Sequence, residues 1–143
     1  MQADNNDTKK LPISKNLIGI GGGALLGSDT HKFDSIQTAD TFSSVGNDFE
    51  KKGLLGTTLI ASNLGGNSAD VRVLGSLDGG QTFKVIAGSQ QTIATGSSYV
   101  WVIQSYYTHL KLEAKSATAS TPTSVEGQAA AIAGPVAGSP SAL

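Results

Sequence analysis

Tyr107-Thr108-His109-Leu110-Lys111-Leu112-Glu113-Ala114-Lys115 is the stretch whose reading decides the fold. In an extended chain successive side chains point to opposite faces. Leu110, Leu112 and Ala114 therefore share one face, and His109, Lys111, Glu113 and Lys115 share the other. That alternation predicts a strand with one side on a core and one in water. Upstream, Ala69-Asp70-Val71-Arg72-Val73 repeats the pattern, with Val71 and Val73 facing inward. Leu54 to Ala61 is a β-rich run bounded by Gly53 and by the turn cluster Asn63-Leu64-Gly65-Gly66-Asn67, and Phe83 to Ala87 follows a tight turn. Ser35 to Phe42 is read as a further strand with Ile36 and Thr38 on one side. Ser98 to Gln104 contains Tyr99-Val100-Trp101-Val102-Ile103, apolar on both faces, which predicts a central strand or one covered by a partner.

Six or seven short strands at roughly ten-residue spacing, with no sustained helical period, predict an all-β chain: an antiparallel β-sandwich or jelly-roll-like body. The expected division is a glycine-rich N-terminal arm over 1–33, the sandwich body over 34–116, and over 117–143 an Ala/Gly/Ser/Pro arm, or a last strand plus tail. The arms are expected to be extended, because small and polar side chains bury too little surface to offset backbone ordering. Their isolated apolar residues, Leu17, Ile18, Ile20, Leu25 and Leu26 on one side and Ile132, Val136 and Leu143 on the other, are candidate partner contacts.

Composition narrows the function classes. The 143 residues carry ten basic and eleven acidic side chains, a net charge of −1, with no basic run longer than Lys9-Lys10 or Lys51-Lys52. Neither a nucleic-acid groove nor a polybasic membrane face is expected. There is no cysteine, hence no disulfide scaffold and no thiolate metal site. The polar, acidic opening Met1 to Asp7 lacks the pattern of an export signal, and the apolar run Leu17 to Leu26 is too short and glycine-rich to span a bilayer. The expectation is a soluble protein made in a host cytoplasm.

Chemistry-bearing motifs are few. Gly19-Ile20-Gly21-Gly22-Gly23-Ala24 matches a dinucleotide fingerprint in letters, but no helix can follow it before Gly27-Ser28-Asp29. His31 and His109 stand in different segments, and no strained nucleophile turn occurs, so no catalytic residue, cofactor or metal ligand is assigned. The sharpest local signal is Ser76-Leu77-Asp78-Gly79-Gly80-Gln81-Thr82-Phe83. It resembles the Asp-box, a hairpin turn found repeatedly in sialidase-type propellers and singly elsewhere. In such a turn Asp78 would accept hydrogen bonds from amides, Gly79 and Gly80 would supply positive φ, Thr82 would complete the pattern and Phe83 would bury beneath it. Tyr99, Trp101, Tyr106 and Tyr107 form the aromatic concentration of the chain; Trp101 and one of the tyrosines are read as core, the other reading is a binding patch, and Trp101 and Tyr107 are candidate partner contacts.

The hairpin Val71 to Phe83, the strand ending in Tyr106-Tyr107, the run Leu110 to Ser116 and the Thr/Pro/Ser/Val stretch after it resemble, over residues 54–126, small tailed-phage virion proteins of the β-sandwich decoration or cement type. The first 33 residues lie outside that resemblance. It implies a non-enzymatic virion protein, a homo-oligomer, whose body sits on the shell and whose arms bridge neighbouring subunits. Its partner would be the major capsid protein or another virion protein. A neck, tail or fibre component shares every one of these features. A carbohydrate-binding module is the competing class, requiring Trp101 and Tyr99 as an exposed platform.

Overall fold

A computed structural model describes residues 27–133. Ten strands follow in order: β1 (Ser28–Gln37), β2 (Ser43–Ser44), β3 (Phe49–Glu50), β4 (Gly56–Asn63), β5 (Ala69–Ser76), β6 (Lys84–Val85), β7 (Gln91–Ile93), β8 (Ser98–Gln104), β9 (His109–Ser116) and β10 (Ser124–Ile132). Every pairing is antiparallel, and the strands form two sheets. One has the order β1-β10-β4-β8; the other runs β2-β9-β5-β6, with β3 also on β9 and β7 also on β5. The chain is all-β among the described residues, a sandwich of two antiparallel sheets.

The alternation in β9 is what the sandwich needs. Leu110, Leu112 and Ala114 are fully buried, opposite Gly75, Val73 and Val71 of β5. From the other sheet Phe33, Leu59, Ala61, Val125, Ala129 and Ala131 close the core. Burial of this apolar surface, at about 25 cal/mol per Å2, is the principal term favouring the fold.

Three sequence expectations are corrected by the strand positions. The first strand is Ser28–Gln37 rather than Ser35 to Phe42. Its outward residues are polar, and its register shifts between Phe33 and Ile36, so the alternation is broken midway. The sheet also begins before residue 34, since β1 takes in Ser28 to Phe33. Beyond residue 116, β10 is the last strand that one reading of 117–143 offered, and it lies between β1 and β4 inside the four-stranded sheet. The reason is steric. A central strand facing a second sheet can be built from small residues where large neighbours fill the layer, and a Cβ on Gly127 would stand 2.5 Å from Leu112 Cδ1 and 3.2 Å from Phe33 Cδ2. Third, among the described residues β8 is an edge paired only with β4, which overturns the central-strand reading and leaves the reading of a strand covered by a partner.

One buried polar cluster ties the layers together. Asn63 Nδ2 donates to the carbonyls of Asn67 (2.7 Å) and Ile93 (2.9 Å), while its Oδ1 accepts from Gly65 N (3.1 Å) and Thr123 Oγ1 (2.7 Å). All four hydrogen-bonding positions of the amide are filled.

Candidate interaction surfaces

The outer faces of the two sheets differ in chemistry. On the six-stranded sheet, Arg72 donates from Nε (3.0 Å) and Nη2 (2.7 Å) to Glu113 Oε1, with its guanidinium 3.8 Å from the centre of the Phe42 ring. Lys115 lies 3.8 Å from Asp70, whose carboxylate also accepts from Thr92 Oγ1 at 2.6 Å. Lys111 reaches Glu113 at 3.7 Å and stands over Phe83. These charges compensate one another across the strands, as on a face that meets water.

The four-stranded sheet carries no such ladder. Its register sets four outward rows: Glu126, Ser62, Ser98 across β10, β4 and β8; then, with β1 as well, Lys32, Gln128, Ile60, Val100; then Thr30, Ala130, Thr58, Val102; then Ser28, Ile132, Gly56, Gln104. Lys32, at the β1 margin, and the half-buried Glu126 are the charges in these rows. Val100, Val102 and Ile132 are exposed to 49%, 70% and 46%. A shallow concavity of about 370 Å3 opens between Thr30, Lys32, Thr58, Ile60 and Gln128.

A third surface lies where the turn after β5 meets the β8–β9 loop. Asp78 Oδ1 accepts from Ser76 Oγ (2.7 Å) and from the amides of Gln81 (3.1 Å) and Thr82 (2.9 Å). Led by the Ser76 hydroxyl and then the Thr82 amide, these bonds hold the carboxyl down at about 2. Gly79 and Gly80 take φ of +77° and +88°, and Gly80 N donates to Ser76 Oγ. Phe83 is half-buried under Lys111 and takes no part in the core. The Tyr107 ring lies against Gly75, where a Cβ would come within 2.5 Å of it. Nearby, the fully buried Lys51 donates from Nζ to the carbonyls of Ser105 (2.9 Å) and Leu55 (3.2 Å), and burial lowers its pKa. A cleft of about 340 Å3 lies above it, lined by Glu50, Leu54, Ser105, Tyr106, Thr108 and His109.

The candidate contacts read from the sequence are scattered by the fold. Trp101 is turned inward, 7% exposed, with its Nε1 donating to Ser89 O at 2.7 Å and Tyr99 packed against its edge. It does not present the flat platform a carbohydrate module needs. Tyr107 packs on the core margin, whereas Tyr106 is 86% exposed. Ile132 belongs to the outer face of the four-stranded sheet. Leu17, Ile18, Ile20, Leu25, Leu26, Val136 and Leu143 lie outside the described residues. His31 stacks on Phe49 and bonds Asn47 O, while His109 stands 3.9 Å from Asp48. Among the described residues no group of three His, Asp or Glu is placed to hold a metal ion. Reading the sequence residue by residue missed the sparsely charged face. The signal was the alternation of Thr58, Ile60 and Ser62 with buried neighbours, set beside the uncharged β10 stretch from Gly127 onward.

Neither a family model nor a curated protein sequence matches the chain. Among solved structures, the fold is similar to that of the SPBc2 prophage-derived protein YomS, with a TM-score of 0.54 and 13% identity over 80% of this chain and 100% of that one. Looser likenesses are to the Bacillus endospore appendages described as disulfide-linked pili (TM-score 0.49, 13% identity, 82% and 98% covered) and to PirA (0.46, 10%, 72% and 92%). What this chain shares with YomS is the two-sheet architecture.

Proposed function

We propose that the protein is a non-enzymatic structural component of a tailed-phage particle, a decoration or cement protein that attaches through its four-stranded sheet and bridges capsid subunits. The observation that carries this reading is the contrast between the two outer faces. One is a self-compensated charge ladder; the other carries only Lys32 and Glu126 as charges in its outward rows and exposes Val100, Val102 and Ile132. Exposed apolar surface rimmed by polar residues marks interaction sites. The resemblance over residues 54–126 to virion proteins of this type, and a fold shared with a prophage-derived protein, support the particle as the setting. The partner is the major capsid protein, and a neck, tail or fibre position is the alternative within the same class.

The test is addition of purified protein to particles lacking it, with occupancy read by gel densitometry and position by imaging. Ala130→Glu places a carboxylate in the middle row without disturbing the core. It is expected to lower affinity at least about tenfold, because a charge desolvated without a partner is costly. Undiminished occupancy would exclude the face as the attachment surface, and density on tail or neck would replace the capsid assignment.

A further inference from the structure

Edges of β-sheets present unpaired backbone groups, and proteins guard them with short strands, charged side chains, bulges or covering segments. Three of the four edges here are guarded in those ways. On the six-stranded sheet the outermost strands are β2, β3, β6 and β7, each two or three residues long. On the four-stranded sheet β1 carries Asp29, Lys32 and Asp34 and shifts register after Phe33. Among the described residues the remaining edge, β8, has none of these features. Ser98-Tyr99-Val100-Trp101-Val102-Ile103-Gln104 is seven residues long, with no charge, no proline and no glycine, and within those residues it pairs on one side only.

The register shows which groups are free. Asn63 N donates to Ser97 O at 2.9 Å, so residues of the same parity, Tyr99, Trp101 and Ile103, exchange bonds with β4. The N–H and C=O groups of Ser98, Val100, Val102 and Gln104 point to the open edge. Val100 and Val102 also hold their side chains out, at 49% and 70% exposure.

We propose that β8 pairs with β8 of a second copy of this chain, antiparallel about a two-fold axis at Trp101, joining the four-stranded sheets of two molecules into one of eight strands. An isologous interface must be self-complementary, and the β8 sequence is, because its polarity reads the same in both directions. With Trp101 opposite Trp101 of the second copy, Val100 falls opposite Val102, Tyr99 opposite Ile103, and Ser98 opposite Gln104. The same register makes Val100–Val102 and Ser98–Gln104 the hydrogen-bonded pairs, which are the positions whose backbone groups are free. No charge meets a like charge anywhere along the seam. Pairing of β8 with β1 of another copy would instead set the smooth strand against the charged, irregular one. The proposal does not depend on which particle the protein serves, and its test involves no particle.

Sedimentation equilibrium of the full chain is expected to give a dimer, and Val102→Lys a monomer with unchanged circular dichroism. The introduced ammonium groups would lie at diagonal neighbouring positions across the dyad and guard the edge. Leu77→Lys, at a turn residue of similar exposure (73%), is expected to remain dimeric. Amide exchange gives a second readout that needs no variant: the Val100 and Val102 amides should be protected at high protein concentration and lose that protection on dilution. A monomer at all concentrations, a dimer unaffected by Val102→Lys, amides at Val100 and Val102 that exchange freely in the dimer, or an open-ended series of larger oligomers would each overturn the pairing.

Discussion

Gly127→Ala examines the central placement of β10 directly. The new methyl carbon would stand 2.5 Å from Leu112 Cδ1 in the facing sheet, 2.9 Å from Ile60 O in the neighbouring strand and 3.2 Å from Phe33 Cδ2. Leu112 and Phe33 are fully buried and cannot swing into solvent, and the Ile60 carbonyl is fixed by the pairing of β4 with β10. Removing a strand glycine would otherwise favour folding by roughly 0.5–1 kcal/mol through the unfolded chain. Overpacking a close-packed layer costs about 1–3 kcal/mol, so the clash wins and the net effect is destabilising. Thermal melts of a domain this size should fall by roughly 5–10 °C. The clash with Leu112 can be separated from the others with a double-mutant cycle. Leu112→Ala alone should cost about 2–5 kcal/mol. Combined with Gly127→Ala it should cost less than the two effects added, by about 0.5–2 kcal/mol, since the added methyl occupies the vacated space. The clash with the Ile60 carbonyl remains, so the compensation is partial. A Gly127→Ala protein as stable as the parent, or strictly additive effects, would refute the packing of β10 against β9.

Two further outcomes concern ionisation. The Asp78 carboxyl is held at about 2, below its usual 3.8, so its contribution to stability is complete above about pH 4 and is lost as pH falls towards 2; Asp78→Asn should flatten that part of the acid-unfolding curve followed by circular dichroism. Lys51 has its pKa lowered by burial from the usual 10.5, so the unfolded chain binds more protons in the interval below 10.5 and stability should rise with pH there; Lys51→Met should abolish the rise in denaturant titrations, and a retained slope would assign it to another group.

The elements legible in the sequence were those whose two faces differ strongly. β9 and β5 alternate large apolar with charged residues, and both the strands and their inward sides could be read directly. β10 obeys the same alternation, with Val125, Ala129 and Ala131 buried and Gln128 and Ala130 exposed, but in side chains so small that the hydrophobic contrast nearly vanishes. Its role depends on Leu112 and Phe33, which are distant in sequence and reach into the space its glycine leaves. β8 was legible as a strand, but its two readings, central or covered by a partner, could not be separated, because apolar residues on both faces signal coverage without saying whether the covering layer belongs to the same molecule. Asn63 read as the first residue of a turn; its burial and its four bonds depend on Ile93 and Thr123, which only the folded topology brings near. The surface contrast was present in the letters, yet it became visible only once the register had aligned four strands.

The ends of the described chain meet: Ala133 N donates to Gly27 O at 2.8 Å, beside the Ser28–Ile132 pair that begins β1 and ends β10. This has a mechanical meaning. Tension applied between the two termini would act across the β1–β10 ladder at its end, breaking the rungs one after another, as a zipper opens. Tension between one terminus and a partner on the sheet face would load many rungs at once in shear and meet greater resistance. A body tethered by both ends would therefore yield at low force, whereas one anchored by its face and pulled by a single end would hold.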